Sequence, residues 1–217
     1  MIGTVAAMCD GKLLAEKELD PSQRSAQSLA PGLKSLLEEV AWLPSHVELV
    51  AVTAGPGSFT GLRVGMATAK VFAYAAGAEI LGIDTLQAIA RRAPEDIEGL
   101  SVAVDAQRGE VVARSFRRAT DGWFEPVDRA GLVDADTWLT GLPPGTILSG
   151  PVLRKLADRV PNRVTMLDPQ YWSPKAADVA GLAARDYAAG RRDDIYRLAP
   201  FYSRRSAAEE KWEVDSG

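Results

Sequence analysis

Alternating apolar and polar positions at the start of the chain predict a β-hairpin. Residues 3–8 and 12–19 alternate around Asp10-Gly11, a pair that favours a two-residue turn. Between residues 25 and 40 the period becomes helical, and Pro31 is acceptable there only near the first turn or as a kink. The apolar positions of this predicted helix are Leu29, Leu33, Leu36, Leu37 and Val40.

An apolar, β-branched run at residues 47–53 predicts a buried strand that enters the glycine turn Gly55-Pro56-Gly57-Ser58. Glycine permits the backbone angles of a tight turn, and proline fixes one φ. We expect Ser58 or Thr60 to cap the following helix, which runs to about Gly77. Small residues recur at every fourth position of that helix and therefore share one face. They are Gly61, Gly65, Ala69, Ala73 and Gly77.

The later part of the chain alternates strands and helices, and its second half again begins with a hairpin. Residues 80–83 predict a short buried strand, and Asp84 with Gln87 predicts a capping box for a helix to about residue 92. The composition changes at residues 93–99, where we place a domain boundary. We then expect a hairpin formed by residues 100–105 and 110–117. Further strands are expected at 123–127, 131–133, 146–149 and 163–167, and a helix that ends at about residue 158 lies between the last two of them. Ser173-Pro174 predicts the start of an alanine-rich helix to about 189, and the whole pattern favours a duplicated α/β architecture.

The glycine turn has two interpretations. A strand, a glycine turn and a helix start bring free amides and the positive end of the helix dipole together, which suits a phosphate. On this interpretation Gly55, Gly57, Ser58 and Thr60 face the phosphate. The turn lacks the Lys-Ser/Thr ending of a P-loop and the third glycine of a dinucleotide-binding fingerprint. Because Asp84 follows the next strand, where a dinucleotide site places an acidic residue, a dinucleotide oxidoreductase stays as a weaker hypothesis. The simpler alternative is that the glycines only let the helix pack on its own sheet.

Composition and charge exclude several classes of protein. The 217 residues are 47% hydrophobic and 25% charged, as in an ordinary globular protein with one large or two small domains. A single cysteine, no signal peptide and no long apolar run favour a cytoplasmic protein without a membrane segment. The net charge of −4 argues against autonomous binding to nucleic acid, and the arginines near the C-terminus alternate with acidic residues as on a solvated surface.

Candidate catalytic side chains are few, because the chain has one histidine and one cysteine. His46 lies in a predicted loop and suits a surface or capping role, and Cys9 suits a half-buried structural thiol. Four aspartates follow predicted strands, where caps and turns also need carboxylates. They are Asp84, Asp105, Asp134 and Asp168. We therefore predict no catalytic constellation and no metal site.

The glycine turn and the helix after it, from Gly55-Pro-Gly-Ser-Phe-Thr-Gly-Leu-Arg63 to Lys70, closely resemble the signature of the TsaB (YeaZ) family of bacterial tRNA threonylcarbamoyladenosine biosynthesis proteins. Residues 10–16, 105–110 and 207–212 extend the likeness. It implies two related domains of the actin-like or Hsp70-like (ribonuclease H-like) fold, at 1–97 and 98–190, and a tail at 191–217 that packs back on the first domain. We expect the family's first strand to be missing ahead of Met1. Some members carry an inherited M22 glycoprotease label, which the missing metal histidines do not support.

The resemblance implies a scaffold and not an enzyme. TsaB supports TsaD, the metal-containing subunit that transfers the threonylcarbamoyl group to the anticodon-adjacent adenosine of tRNA, and TsaE, an ATPase, joins them. We therefore expect TsaD and TsaE homologues as partners, a homodimer when the chain is alone, and tRNA contact only through the complex. We expect no cofactor in the isolated chain, with nucleotide and metal on TsaD or at the shared interface. The helices at 25–40 and 61–77 would form the interface, through Leu29, Leu33, Leu37, Gly61, Gly65, Ala69 and Ala73. The alternative is a nucleotide-dependent enzyme with a phosphate cradle at residues 55–60.

Overall fold

The computed structural model describes residues 3–23 and 25–203. The strands are β1 (Thr4–Cys9), β2 (Lys12–Glu18), β3 (Leu49–Gly55), β4 (Glu79–Asp84), β5 (Gly99–Gln107), β6 (Glu110–Arg118), β7 (Phe124–Pro126), β8 (Gly131–Asp134), β9 (Ile147–Ser149) and β10 (Thr165–Met166). The α-helices are α1 (Ser25–Glu39), α2 (Phe59–Ala76), α3 (Thr85–Ala90), α4 (Ala135–Gly141), α5 (Leu153–Leu156) and α6 (Ala176–Ala188). Short 3-10 helices lie at Pro44–His46, Ala157–Arg159 and Pro169–Tyr171.

The opening hairpin has the predicted turn. β1 pairs antiparallel with β2, and Asp10 and Gly11 between them have φ values of 47° and 75°. Two successive positive φ values are what a two-residue turn between twisted strands requires. α1 follows and packs on the hairpin through Leu36, which is buried in a cluster with Val5, Ala7 and Leu19.

Two separate strand pairs make up the sheet structure of the first half. β3 pairs in parallel with β4, and β1 pairs only with β2 among the described residues. The prediction of a buried strand before the glycine turn needs correction, because every residue of β3 from Leu49 to Ala54 is only half-buried. Among the described residues β3 and β4 each have one paired neighbour, but Arg191 and Asp193 cover the outer edge of β4 and α6 packs on Leu81, so Ile80 to Ile83 are buried while β3 is not.

The second half contains one continuous sheet in the order β10-β9-β5-β6-β7, with β8 also pairing with β6. β5 is its central strand: it pairs antiparallel with β6 and in parallel with β9, which in turn pairs in parallel with β10. Both faces of β5 are packed, since Ala103 belongs to a core with Trp138 and Leu153 while Val102 belongs to a core with Ile89 and Phe116. The predicted hairpin and parallel strands are therefore present.

The start of α6 differs from the prediction. The N-cap is Lys175, which makes no side-chain cap bond, and not Ser173. The free amides of the first turn are satisfied from the opening hairpin instead. Thr4 Oγ1 accepts from the Ala176 amide at 2.8 Å, and Glu16 Oε1 accepts from the Ala177 amide at 2.8 Å. A local capping signal was thus overridden by two groups brought in by the fold.

Residues 191–203 run back along the first half. Asp193 Oδ2 accepts from the Gly82 amide at 2.9 Å, and Arg191 Nη2 donates to the Gly82 carbonyl at 2.7 Å, so these side chains occupy the outer edge of β4. Leu198 packs with Ala69, Ala73 and Ile80 under α2. None of the helices in 3–23 and 25–203 has the length and apolar character needed to cross a bilayer. The domain boundaries near residues 97 and 190 stay a prediction.

Candidate functional site

The small face of α2 lies inside the chain. Ala73 has no exposed surface and Ala69 is 8% exposed, and both pack against Ile80. A Cβ atom added to Gly65 would lie 3.7 Å from the Val52 side chain of β3. Gly61 lies beside its own N-cap, Ser58. The structure therefore corrects the predicted interface at Gly65, Ala69 and Ala73: these residues let α2 pack closely on its own sheet. A period of four identifies a shared face but not what covers it.

The other face of α2 borders an apolar groove of about 630 Å³ shared with α1, which we name the α1–α2 groove. Two of the predicted residues line it, Leu33 and Leu37. The sequence reasoning missed the side contributed by α2 and by the loop after α1. The lining residues are Ala30, Leu33, Lys34, Leu37, Glu38, Trp42, Pro44, Ala67, Thr68, Val71, Phe72 and Ala75.

Two features make the α1–α2 groove suitable for contact with another polypeptide. Val71 in the lining is 70% exposed although it is apolar, and Tyr74, on the next turn but outside the lining, is 73% exposed. The charged residues of the lining, Lys34 and Glu38, are both exposed and pair with each other at 3.7 Å on α1. The groove therefore presents apolar surface with a polar rim, which is typical of a docking surface. Leu29 does not line it and packs instead on the hairpin cluster.

The glycine turn is closed on one side by the chain itself. Ser58 caps α2 as predicted, accepting from the Gly61 amide at 3.4 Å. Gly55 is buried with a φ of 116°, and a Cβ atom there would collide with the Phe201 carbonyl oxygen. The Phe201 amide donates to the Ala54 carbonyl at 2.6 Å. Gly55 therefore faces a carbonyl of residues 191–203, which corrects its assignment as a phosphate-facing residue.

Aromatic contacts hold Tyr202, in residues 191–203, beside the start of α2 after the glycine turn. The rings of Phe59 and Tyr202 have centroids 4.9 Å apart, and the Arg63 guanidinium lies 4.1 Å from the Phe59 centroid. Arg63 Nε also donates to the Tyr202 hydroxyl at 3.2 Å. Gly57, Ser58 and Thr60 remain exposed. Of the four residues proposed to face a phosphate, three are thus open to solvent and one is covered.

Asp84 is engaged within the protein. Its carboxylate accepts from the Leu86 amide at 2.7 Å and the Gln87 amide at 3.2 Å, so Asp84 caps α3 as predicted. The predicted capping box is not formed, because Gln87 Nε2 donates to the Phe124 carbonyl at 3.0 Å instead. The same carboxylate accepts from Arg114 Nη1 at 2.7 Å. With its oxygens held by two amides and a guanidinium, Asp84 does not suit the ribose contact that a dinucleotide site requires.

The remaining carboxylates after strands have the predicted structural roles. Asp134 caps α4 by accepting from the Thr137 amide at 2.9 Å, and Asp168 caps a 3-10 helix by accepting from the Gln170 amide at 3.0 Å. Asp105 ends β5. Burial acts to raise the pKa of Asp105, but its hydrogen bonds with Lys155 and the Gln107 amide outweigh burial and hold the pKa below the ordinary aspartate value.

The histidine and the cysteine also make local contacts. His46 Nδ1 accepts from the Leu43 amide at 3.2 Å at the start of a 3-10 helix, in agreement with a capping role. Cys9 is exposed and not half-buried as predicted, because it lies next to the exposed turn of the hairpin. The charge of Asp10 raises the pKa of the Cys9 thiol. Across residues 3–23 and 25–203 no group of three or more histidine, cysteine or carboxylate side chains could hold a metal ion.

Comparison with known proteins identifies the family. Residues 18–130, just over half of the chain, match the model of the TsaD family, tRNA N6-adenosine threonylcarbamoyltransferase. The chain belongs to this family. Over nearly its full length the chain is similar to TsaB proteins. The Escherichia coli tRNA threonylcarbamoyladenosine biosynthesis protein TsaB is 26% identical over 96% of this chain and 92% of its own length. A Mycobacterium leprae protein is 36% identical over 48% of this chain and 28% of its own length.

Solved structures agree with the sequence comparison. YeaZ from Pseudomonas aeruginosa superposes with a TM-score of 0.80 at 25% identity, over 92% of this chain and 93% of that one. The likeness to TsaB and YeaZ and the actin-like, ribonuclease H-like fold class predicted from the glycine turn are thereby confirmed.

Proposed function

We propose that this chain acts in the cytoplasm as a non-catalytic subunit in tRNA threonylcarbamoyladenosine biosynthesis and that it docks a TsaD homologue through the α1–α2 groove. A TsaE homologue joins that complex. Without TsaD, two copies of the chain pair through the same groove. Nucleotide and metal belong to TsaD or to the shared interface, and tRNA is contacted only through the complex.

The α1–α2 groove is the observation that carries the proposal. Its two walls come from the helices that the family resemblance names as the interface, and both walls are apolar at their centre. Leu37 on α1 is half-buried and Val71 on α2 is largely exposed, so an incoming helix would remove apolar area from water on both walls. The names of the relatives support the pathway, and the groove supports a role in assembly.

Copurification with a TsaD homologue from the same organism tests the proposal. Val71→Asp and Leu37→Asp each place a charge in the apolar centre of the groove, and we expect at least about a tenfold loss of TsaD binding from either. Val127→Asp is the matched control, because Val127 is 54% exposed but lies in the second half, after β7. Thermal unfolding of each variant establishes that it is folded. Folded groove variants that bind TsaD as well as the control would overturn the proposal.

A further inference from the structure

Helix α2 has a third face beside its buried face and the face toward the α1–α2 groove. Ala69 and Ala73 mark the buried face, and Phe72 lines the groove. Lys70 follows Arg63 by seven residues, so both lie on the third face, about 10 Å apart along the helix axis. They are the two charged residues of α2. All the charge of α2 is therefore positive and lies on one face, which we name the cationic face.

Residues 191–203 border the cationic face along its length. Lys70 Nζ donates to the Tyr196 carbonyl at 3.5 Å, so Tyr196 lies beside the second half of α2. Tyr202 lies beside the start of the helix, where its hydroxyl accepts from Arg63 Nε. This segment therefore runs antiparallel to α2. Since α1 packs on α2 across the groove, α2 has α1 on one side and residues 191–203 on the other.

The Arg63 guanidinium is held in position by the chain. It stacks on the ring of Phe59, with Cζ 4.1 Å from the centroid, and its Nε donates to the Tyr202 hydroxyl at 3.2 Å. Among the described residues no carboxylate pairs with Arg63, and neither of its terminal nitrogens donates a hydrogen bond. Arg63 is nevertheless exposed. Its terminal nitrogens thus form a fixed fork that is open to solvent, and such a fork matches the two oxygens of a carboxylate.

The fork lies at the rim of the α1–α2 groove. Ala67 and Val71, one and two turns after Arg63, both line the groove. A polypeptide seated in the groove therefore lies beside the Arg63 guanidinium. Tyr74 and Tyr196, which are 73% and 79% exposed, add aromatic area on the same side of α2. Arginine and tyrosine are the side chains that protein interfaces use most as anchors, so the cationic face continues the docking surface beyond the groove.

Charge decides which partner suits the cationic face. A second copy brings no acidic residue on α2. On its α1, Glu38 already pairs with Lys34. The other carboxylate of α1, Glu39, pairs with Lys17. A phosphate backbone is also a poor match, because two cations on a chain of net charge −4 provide little attraction for it. The cationic face therefore suits an acidic segment of a different protein.

We infer that the TsaD homologue seated in the α1–α2 groove presents one carboxylate to the Arg63 guanidinium and a second to Lys70. The inference rests on the proposed function and adds the chemistry that selects this partner over a second copy. Selection by charge at the rim of an apolar interface acts on specificity and on the rate of association. Arg63 is thus a specificity-determining residue of the docking surface.

Binding of the full chain to the TsaD homologue of the same organism, measured at about 50 mM and about 500 mM NaCl, tests the inference. Arg63→Gln removes the charge, and we expect at least about a tenfold loss of affinity at the lower salt concentration and a weaker dependence on salt. Arg63→Lys keeps the charge without the fork and should recover part of the affinity. Arg129→Gln is the matched control, because Arg129 is exposed in the second half between β7 and β8, and it should bind as the original chain does. Thermal unfolding establishes that each variant is folded.

Three results would overturn the inference. The first is that Arg63→Gln binds as tightly as the original chain at both salt concentrations while Val71→Asp binds weakly, which would leave the proposed function standing. The second is that folded Arg63→Gln loses the same affinity at both salt concentrations, since the loss would then not be one of charge. The third is that the isolated chain binds tRNA and Arg63→Gln abolishes this binding, since the guanidinium would then serve a phosphate. If Val71→Asp also binds the TsaD homologue normally, the proposed function itself is wrong and the inference falls with it.

Discussion

Leucine substitutions on the two faces of α2 test whether its small face packs within the chain or binds a partner protein. Ala73→Leu adds three carbon atoms to a residue that has no exposed surface and contacts Ile80 and Ala69 in a closed cluster. Overpacking of a core typically costs 1–3 kcal/mol, so we expect the free energy of unfolding to fall by about that amount. For a chain of this size each kcal/mol lowers the Tm by about 2–4 °C, which gives a decrease of roughly 2–12 °C.

Val71→Leu is the matched variant on the outer face. Val71 is 70% exposed and lines the α1–α2 groove, so an added carbon atom meets solvent and not a packed core. We expect its free energy of unfolding to stay within about 0.5 kcal/mol of the original chain.

Urea unfolding followed by circular dichroism gives the free energies of both variants, and copurification with TsaD gives their binding. We expect Ala73→Leu to lose stability, and any folded fraction of it to keep TsaD binding. The reasoning would be refuted by an Ala73→Leu chain that is as stable as the original and binds TsaD more weakly. That result would mean that the small face of α2 contacts a partner, as the sequence pattern suggested.

Three further predictions concern single contacts. Asp105→Asn should lower the free energy of unfolding at pH 7 by up to about 1 kcal/mol, because the carboxylate pairs with Lys155, whose side chain is largely exposed to solvent. The pKa of Asp105 is lowered by folding, so this stabilisation is present above the ordinary aspartate pKa and is lost as the pH falls through the lowered pKa of the folded chain. The unfolding curves of the two chains should therefore converge at acid pH. Thr4→Ala should lower the free energy of unfolding in urea by about 1 kcal/mol and speed hydrogen exchange at the Ala176 amide. Thr4→Ser keeps the hydroxyl and should restore both the stability and the slow exchange. Equal amide exchange in the two variants would contradict the capping role. Calorimetry with ATP and with ADP should detect no micromolar binding to the isolated chain, because Gly55 faces a carbonyl oxygen, and micromolar binding would favour the nucleotide-dependent enzyme.

The order of the elements could be predicted because their signals are local. Asp10-Gly11 fixes the first turn through its own backbone preferences, and the leucines of α1 recur on one face of a helix whatever lies opposite. Asp84 caps α3 through amides two and three residues away. Each of these predictions depends on residues that are close in sequence, and each is present in the structure.

The start of α6 could not be predicted in the same way. Thr4 and Glu16, which cap it, are 172 and 161 residues from Ala176 and Ala177. Ser173 carried the better local signal but lies outside the helix. Sequence preference for a cap gives way when tertiary structure brings another acceptor to the free amides.

The site was predicted in part for a similar reason. Leu33 and Leu37 were found because they belong to an amphipathic helix, but the wall on α2 was assigned to the wrong face. Small residues suit close packing against any partner, and the sequence does not say whether that partner is the chain's own sheet. The sequence contained a signal for this: Val71 and Tyr74 are a large apolar and an aromatic side chain on the face of α2 opposite Ala69. A helix that is buried on one face only leaves such side chains exposed.

The boundary predicted between residues 97 and 98 marks where the order of elements repeats, yet packing continues across it. Leu86 and Ile89 of α3 lie before the boundary and share a buried cluster with Phe116 and Phe124 after it. On the other side, α6 comes from the second half and packs on Leu81 of β4. Because a substitution in either half removes contacts from the other, we expect the two halves to lose their structure in one transition and not one after the other.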